Sequence, residues 1–96
     1  MVSILAMDIR RLFGTNLRRH RLAAGLSQEA VGVRMGADRA HISSMERGAQ
    51  NVTLLTVHEV AQALGIEPAA LLDASPQPPP PEGKAPRTPR DARPRG

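Results

Sequence analysis

SQEAVGVRMGADRAHISSMERG, residues 27–48, reads as two short helices parted by Gly36-Ala37-Asp38. In the first, Val31 and Met35 fall one turn apart on a packing side. Ser27 suits its N-cap, with Gln28 and Glu29 in the first turn. The second turns Ile42 and Met45 to one side but carries Arg39, His41, Ser43 and Ser44 as well. Two helices joined by a three-residue turn containing Gly, the second polar on its outer side, match the helix-turn-helix unit that places its second helix in the DNA major groove. Gly32 stands inside the first of the two, where Gly is about 1 kcal/mol worse than Ala. Close approach of the following helix is the expected compensation.

Outward from this unit the apolar spacing stays helical, and Gly25, Gly36, Gly48 and Gly65 each follow a periodic run, where a left-handed cap residue is expected. A first helix over about 8–24 turns Ile9, Leu12, Phe13 and Leu17 inward, with Leu5 as an extension. The pair above occupies 28–35 and about 39–47, the latter capped by Asp38. Thr53 caps a fourth helix over 54–64 with Leu54, Val57, Val60, Ala61 and Leu64 inside. Pro68, preset for a first helical position, opens a fifth over 68–72. The fold class is therefore all-α, one domain over 1–73.

Composition supports one small domain. The chain has 96 residues, a net charge of +4 and a pI near 11.3, a balance that leans towards acidic partners such as nucleic acid. There is no cysteine, so disulfides and thiolate metal sites are excluded. One Phe with no Trp or Tyr argues against RNA readers that stack bases on aromatic rings. Eight of the nine prolines lie beyond Ser75, and residues 74–96 read as a disordered, basic, partly polyproline II tail. That tail is expected either to be idle or to add non-specific phosphate attraction. Residues 1–73 hold eight arginines against seven acids, so a nucleic-acid face there has to arise from local clustering. The apolar start, Met1 to Met7, lacks the pattern of a secretory leader, and no stretch is suited to span a membrane. A cytoplasmic setting is expected.

With Ile42 and Met45 turned in, the outer face of the third helix shows Arg39, Ala40, His41 at the edge, Ser43 and Ser44. Arg can bond both acceptors of guanine, Ser can donate or accept at several base edges, and Ala can rest on a thymine methyl. Taken alone, the same row also fits an ordinary solvated helix face.

Several separate motifs in order resolve the choice. Gly25-Leu26-Ser27-Gln28-Glu29, Met35-Gly36-Ala37-Asp38, Ile42-Ser43, Glu46-Arg47-Gly48 and Ala61-Gln62-Ala63-Leu64-Gly65-Ile66 resemble the Cro/CI-type (XRE-like) helix-turn-helix domain over about Leu12 to Leu72. The resemblance implies a five-helix, lambda-repressor-like DNA-binding fold and a transcriptional regulator that contacts double-stranded DNA. It implies Arg39, Ala40, Ser44 and, less centrally, His41 as base contacts. Gln28 is implied as a phosphate clamp and occasional base contact, and Arg47, Gln50 and Asn51 as a second phosphate group. Arg21 and Glu46 match an ion pair that joins the first helix to the end of the third. Three departures stand out: Gly32 for the usual Ala, Val52 where Pro is common, and His58 at an often apolar place, where a half-buried structural histidine is expected. Ala40 is a weak reader, so specificity is expected to lean on Arg39, Ser44 and DNA shape.

The remaining signals lead away from catalysis. His20, His41 and His58 sit on three different predicted helices without metal-ligand spacing, Ser27, Ser43 and Ser44 lack a base and orienting acid, and no Gly-rich phosphate loop occurs. No metal, cofactor or enzymatic activity is expected. A twofold homodimer on a palindromic operator is the expected arrangement. Val52, Leu55, Leu71, Leu72, Ile4 and Leu5 are candidates for its interface. The rival reading, motivated by the near-neutral folded part, is a protein-interaction module such as an antitoxin-like or adaptor partner.

Overall fold

Asp8 starts the first helix by accepting the Arg10 amide at 3.0 Å, and its carboxylate also binds the Arg10 guanidinium at 2.9 Å. These hydrogen bonds hold the Asp8 carboxyl below the usual carboxylate range. From this cap α1 runs over Ile9–Ala23. The computed structural model describes residues 8–75; Ile4, Leu5 and the proline-rich stretch from Pro76 onwards, with the expectations placed on them, lie outside that range. Ser27 accepts the Ala30 amide at 2.9 Å and starts α2, Gln28–Met35. Asp38 accepts the His41 amide at 2.9 Å and starts α3, Arg39–Glu46. Thr53 accepts the Thr56 amide at 3.0 Å and starts α4, Leu54–Leu64. Each side-chain oxygen satisfies an amide that the helix itself cannot. Gly25, Gly36, Gly48 and Gly65 all take positive φ as expected. At Gly36 the left-handed backbone is what turns the chain from α2 towards α3, a conformation costly for a residue with a Cβ.

The fifth element differs from expectation. Pro68–Leu72 is a 3-10 helix, not a further α-helix, so the described chain holds four α-helices and no strand. Glu67 makes no side-chain cap bond, and five residues give too few intrahelical bonds to offset the cost of starting an α-helix. No helix among the described residues is long and apolar enough to cross a membrane.

The core joins all five elements. Phe13 and Leu17 of α1, Val31 of α2, Ile42 and Met45 of α3, Val57, Val60, Ala61, Ala63 and Leu64 of α4, and Leu71 are buried together. Leu26, Met35, Ala37, Val52 and Ile66 pack around them. Ile9 and Leu54, expected inside, are 58% and 83% exposed. Both are the first residue of their helix, where the apolar period runs on past the end of the packing partner. His58 is also exposed rather than half-buried, since a period of 3.6 that buries 57, 60, 61 and 64 leaves 58, 59 and 62 outside. Leu71 is fully buried in the chain's own core and is no part of an intermolecular surface.

Two glycines allow backbone to meet backbone. A Cβ on Gly32 would stand 2.6 Å from the Ala37 carbonyl oxygen, so it is the turn, and not α3 itself, that presses on α2. The Ala37 amide donates to the Gly32 carbonyl at 2.8 Å across this contact. Gly14, which the apolar pattern does not single out, does the same between α1 and the end of α3. Its Cβ would overlap the Met45 carbonyl oxygen and stand 2.6 Å from that of Glu46. Asn16, buried beside it, donates to the Leu71 and Asp73 carbonyls at 3.0 Å each and pins the 3-10 helix onto α1. Without those bonds a buried amide would cost about 1 to 3 kcal/mol.

Gly14→Ala separates propensity from packing. In a free helix the change gains about 1 kcal/mol. Here the overlap with fixed carbonyls should outweigh it and cost about 1 to 3 kcal/mol net, read as a lower urea midpoint. A variant more stable than the parent would show that α1 and α3 do not meet there.

Candidate nucleic-acid interface

Ile42 and Met45, 0% and 1% exposed, set the rotation of α3 about its axis. With those two side chains locked inward, Arg39, Ala40 and His41 are exposed, and Ser43 and Ser44 are half-buried. The base-reading candidates at the N-terminal end of α3 therefore share one outer row. Arg39 and His41 make no hydrogen bond through their side chains among the described residues, so their donors remain available.

The other end of α3 is tied down. Arg21 of α1 grips Glu46 with two bonds, Nε to Oε2 at 2.5 Å and Nη2 to Oε1 at 3.1 Å. The two side chains are 9% and 5% exposed. The remaining Arg21 nitrogen donates to the Leu26 carbonyl at 2.9 Å, and Gln28 Nε2 donates to Glu46 Oε1 at 3.0 Å. One carboxylate thus joins α1, the start of α2 and the end of α3. Desolvation offsets much of such a pair's attraction, so its main effect is to orient α3. Gln28, expected at phosphate, spends one amide hydrogen on this node and keeps the other. The Gln28 and Glu29 backbone amides beside it lack intrahelical acceptors, which suits an anion.

The loop after α3 leans back on α3. Arg47 Nη1 donates to Ser43 Oγ at 2.6 Å, and Gln50 Nε2 donates to Ser44 Oγ at 2.8 Å. With its oxygen accepting from Gln50, the Ser44 hydroxyl hydrogen is left to donate outward. Asn51 Oδ1 accepts from Arg10 Nη1 at 3.3 Å, which leaves the Asn51 amide hydrogens free. All ten expected site residues thus gather along α3, its following loop and the Arg21–Glu46 node. The sequence reading missed the Ser44–Gln50 link and the approach of Arg10 to Asn51. The second joins residues 41 positions apart, for which no periodic signal exists.

Comparisons with known proteins agree with this geometry. A helix-turn-helix domain family model matches residues 12–74. An uncharacterised HTH-type transcriptional regulator of Sinorhizobium fredii is 46% identical over 66 residues, which make up 69% of this chain and 86% of the relative. The control protein C.BamHI of Bacillus amyloliquefaciens is 40% identical over 67 residues, 69% of this chain and 83% of the relative. Among solved structures, the restriction-modification controller protein C.AhdI from Aeromonas hydrophila superposes with a TM-score of 0.62 at 44% identity, covering 65% of this chain and 90% of that one.

Paired substitutions test the role of the buried pair. Arg21→Met leaves the Glu46 carboxylate without its counter-charge and should cost about 3 to 5 kcal/mol, whereas Arg21→Met with Glu46→Leu should recover most of that in urea unfolding. A double variant as unstable as the single would contradict the assignment of the pair to orientation.

Proposed function

The chain belongs to the helix-turn-helix domain family, and we propose that it is a sequence-specific DNA-binding transcriptional regulator that lays α3 in the major groove. The observation that carries this reading is the outer row of α3, Arg39, Ala40, His41 and Ser44, held outward by two fully buried residues on one side and by the Glu46 node at one end. Arg39 reads a guanine edge bidentately and Ser44, steadied by Gln50, donates to an acceptor. Ala40 supplies an apolar contact, and His41 reaches the edge of the groove. Gln28 and the first amides of α2 take one phosphate; Arg47 and Asn51 take another on the far side of α3. Relatives that are themselves regulators and control proteins give no support to a protein-interaction module as the primary role.

The reading includes a homodimer. Leu54, 83% exposed, borders an apolar groove with Ile9 and Leu72, its floor Phe13, Val52 and Val57, and Leu55, next in the chain, is 64% exposed. Arg10 and Asn51 line one edge of this groove, and a second copy related by a twofold axis that covers Leu54 and Leu72 while leaving that edge open would set two α3 helices about one turn of DNA apart, roughly 34 to 36 Å. In this arrangement Leu55→Glu makes the chain a monomer by sedimentation and lowers operator affinity; an unchanged dimer mass would move the interface elsewhere.

Arg39→Ala tests the groove assignment directly. It should cost about 1 to 3 kcal/mol on the operator and relax one base position, while Gln28→Ala should weaken all sequences alike. Equal losses for Arg39→Ala on operator and on random duplex, measured by fluorescence anisotropy, would refute α3 as the reading helix.

A further inference from the structure

The folded part carries eight arginines against seven acids, and most of those arginines are already engaged. Arg21 is consumed by Glu46, Arg34 donates to the Ala63 carbonyl at 2.7 Å, and Arg19 donates to Asn16 Oδ1 at 3.3 Å. Of these only Arg21 is neutralised by an acid, and the contacts of α1 show where an unneutralised arginine lies beside the helix-turn-helix.

The first turn of α1 rests on the loop that follows α3. A Cβ on Gly48 would stand 2.8 Å from Arg11 Cγ and 3.0 Å from Arg11 Cα, so the stem of Arg11 covers the Gly48 backbone. Arg11 itself is exposed and makes no hydrogen bond or ion pair among the described residues. Arg47 precedes Gly48 and is fixed on Ser43; Arg10, next to Arg11, reaches Asn51 at the other end of the loop. Three guanidinium groups thus border the first five residues, 47–51, of the loop between α3 and α4. The acid among them is Asp8, already bonded to Arg10 and lowered further by the charges of both neighbouring arginines.

We infer that the first turn of α1 is part of the DNA interface: Arg11, supported by Arg10, holds a backbone phosphate next to the one taken by Arg47 and Asn51. The inference rests on the reading of the chain as a DNA-binding regulator and extends its footprint beyond the helix-turn-helix. Arg11 has the features such a contact needs. Its stem is set by packing on Gly48, its charge is not neutralised by a direct partner, and the loop beneath it presents the second phosphate group. A residue in this role positions the protein without reading sequence.

The test measures affinity of the full chain for its selected operator and for a shuffled duplex across a range of salt. Arg11→Gln should weaken both duplexes by the same factor, leave their ratio unchanged, and reduce the slope of log affinity against log salt by about 0.9, the value for one phosphate contact. Arg11→Lys should restore the slope, and Arg10→Gln should lower it as well. Arg34→Gln, the same charge change at the opposite end of α2 from Gln28, should leave the slope alone. Thermal melts followed by circular dichroism confirm that the variants compared are folded. An Arg11→Gln protein with parental slope and affinity, in a chain where Arg39→Ala still loses operator preference, overturns this inference alone. If Arg39→Ala also changes nothing, the reading of the chain as a regulator falls and the inference with it.

Discussion

Glu46 is the residue on which the arrangement of the outer surface depends. Its carboxylate is buried, takes two bonds from Arg21 and one from Gln28, and sits at the last residue of α3. Because three helices meet there, α3 can neither slide along its axis nor tilt away from α1 without breaking a charged hydrogen bond in a desolvated place. Gly14 completes the contact, since only a residue without a side chain lets α1 lie against the Met45 and Glu46 carbonyls. A single ion pair adds little net stability, yet here it defines the angle at which a short helix of eight residues is offered to a partner.

That constraint suits a domain with a modest core. The packed side chains are mostly medium-sized aliphatics around one Phe, and the element that closes the core, the 3-10 helix, is held by Leu71 and by the two bonds from Asn16. Orientation is thus supplied by specific polar contacts where apolar packing alone would leave several rotations of similar energy. The near-neutral balance of the folded part follows the same economy. Arg21 is used inside as a strut, while the exposed Arg10, Arg11, Arg39 and Arg47 stand on α3, the loop after it and the turn of α1 packed against that loop. Local placement, and not total charge, is what gathers positive charge on this face.

Much of this was legible in the sequence because it is local. Ser27, Asp38 and Thr53 announce helix starts within three residues of the amides they bind, and Gly36 and Gly65 announce the ends. The buried set of α4 follows from its period. What was not legible is where a period stops mattering: Ile9 and Leu54 continue the apolar stripe but stand beyond the core, and Pro68–Leu72 is too short to be more than 3-10. Contacts between distant segments were hidden as well. Arg21 with Glu46 came from family resemblance, while Gly14 on α3, Asn16 on the 3-10 helix and Arg11 on Gly48 join residues that no spacing rule connects. A glycine inside a helical run is the one local hint of such contacts, and Gly14 and Gly32 both carry it.

In the function proposed for this chain the outer row of α3 reads a DNA sequence. Selection of duplexes from a randomised library by the full chain at about 150 mM salt, where non-specific attraction is damped, addresses it most directly. Enrichment of an inverted repeat whose half-sites each contain a guanine for Arg39 is expected. A recovered pool indistinguishable from the input, with the protein folded and in excess, would contradict it.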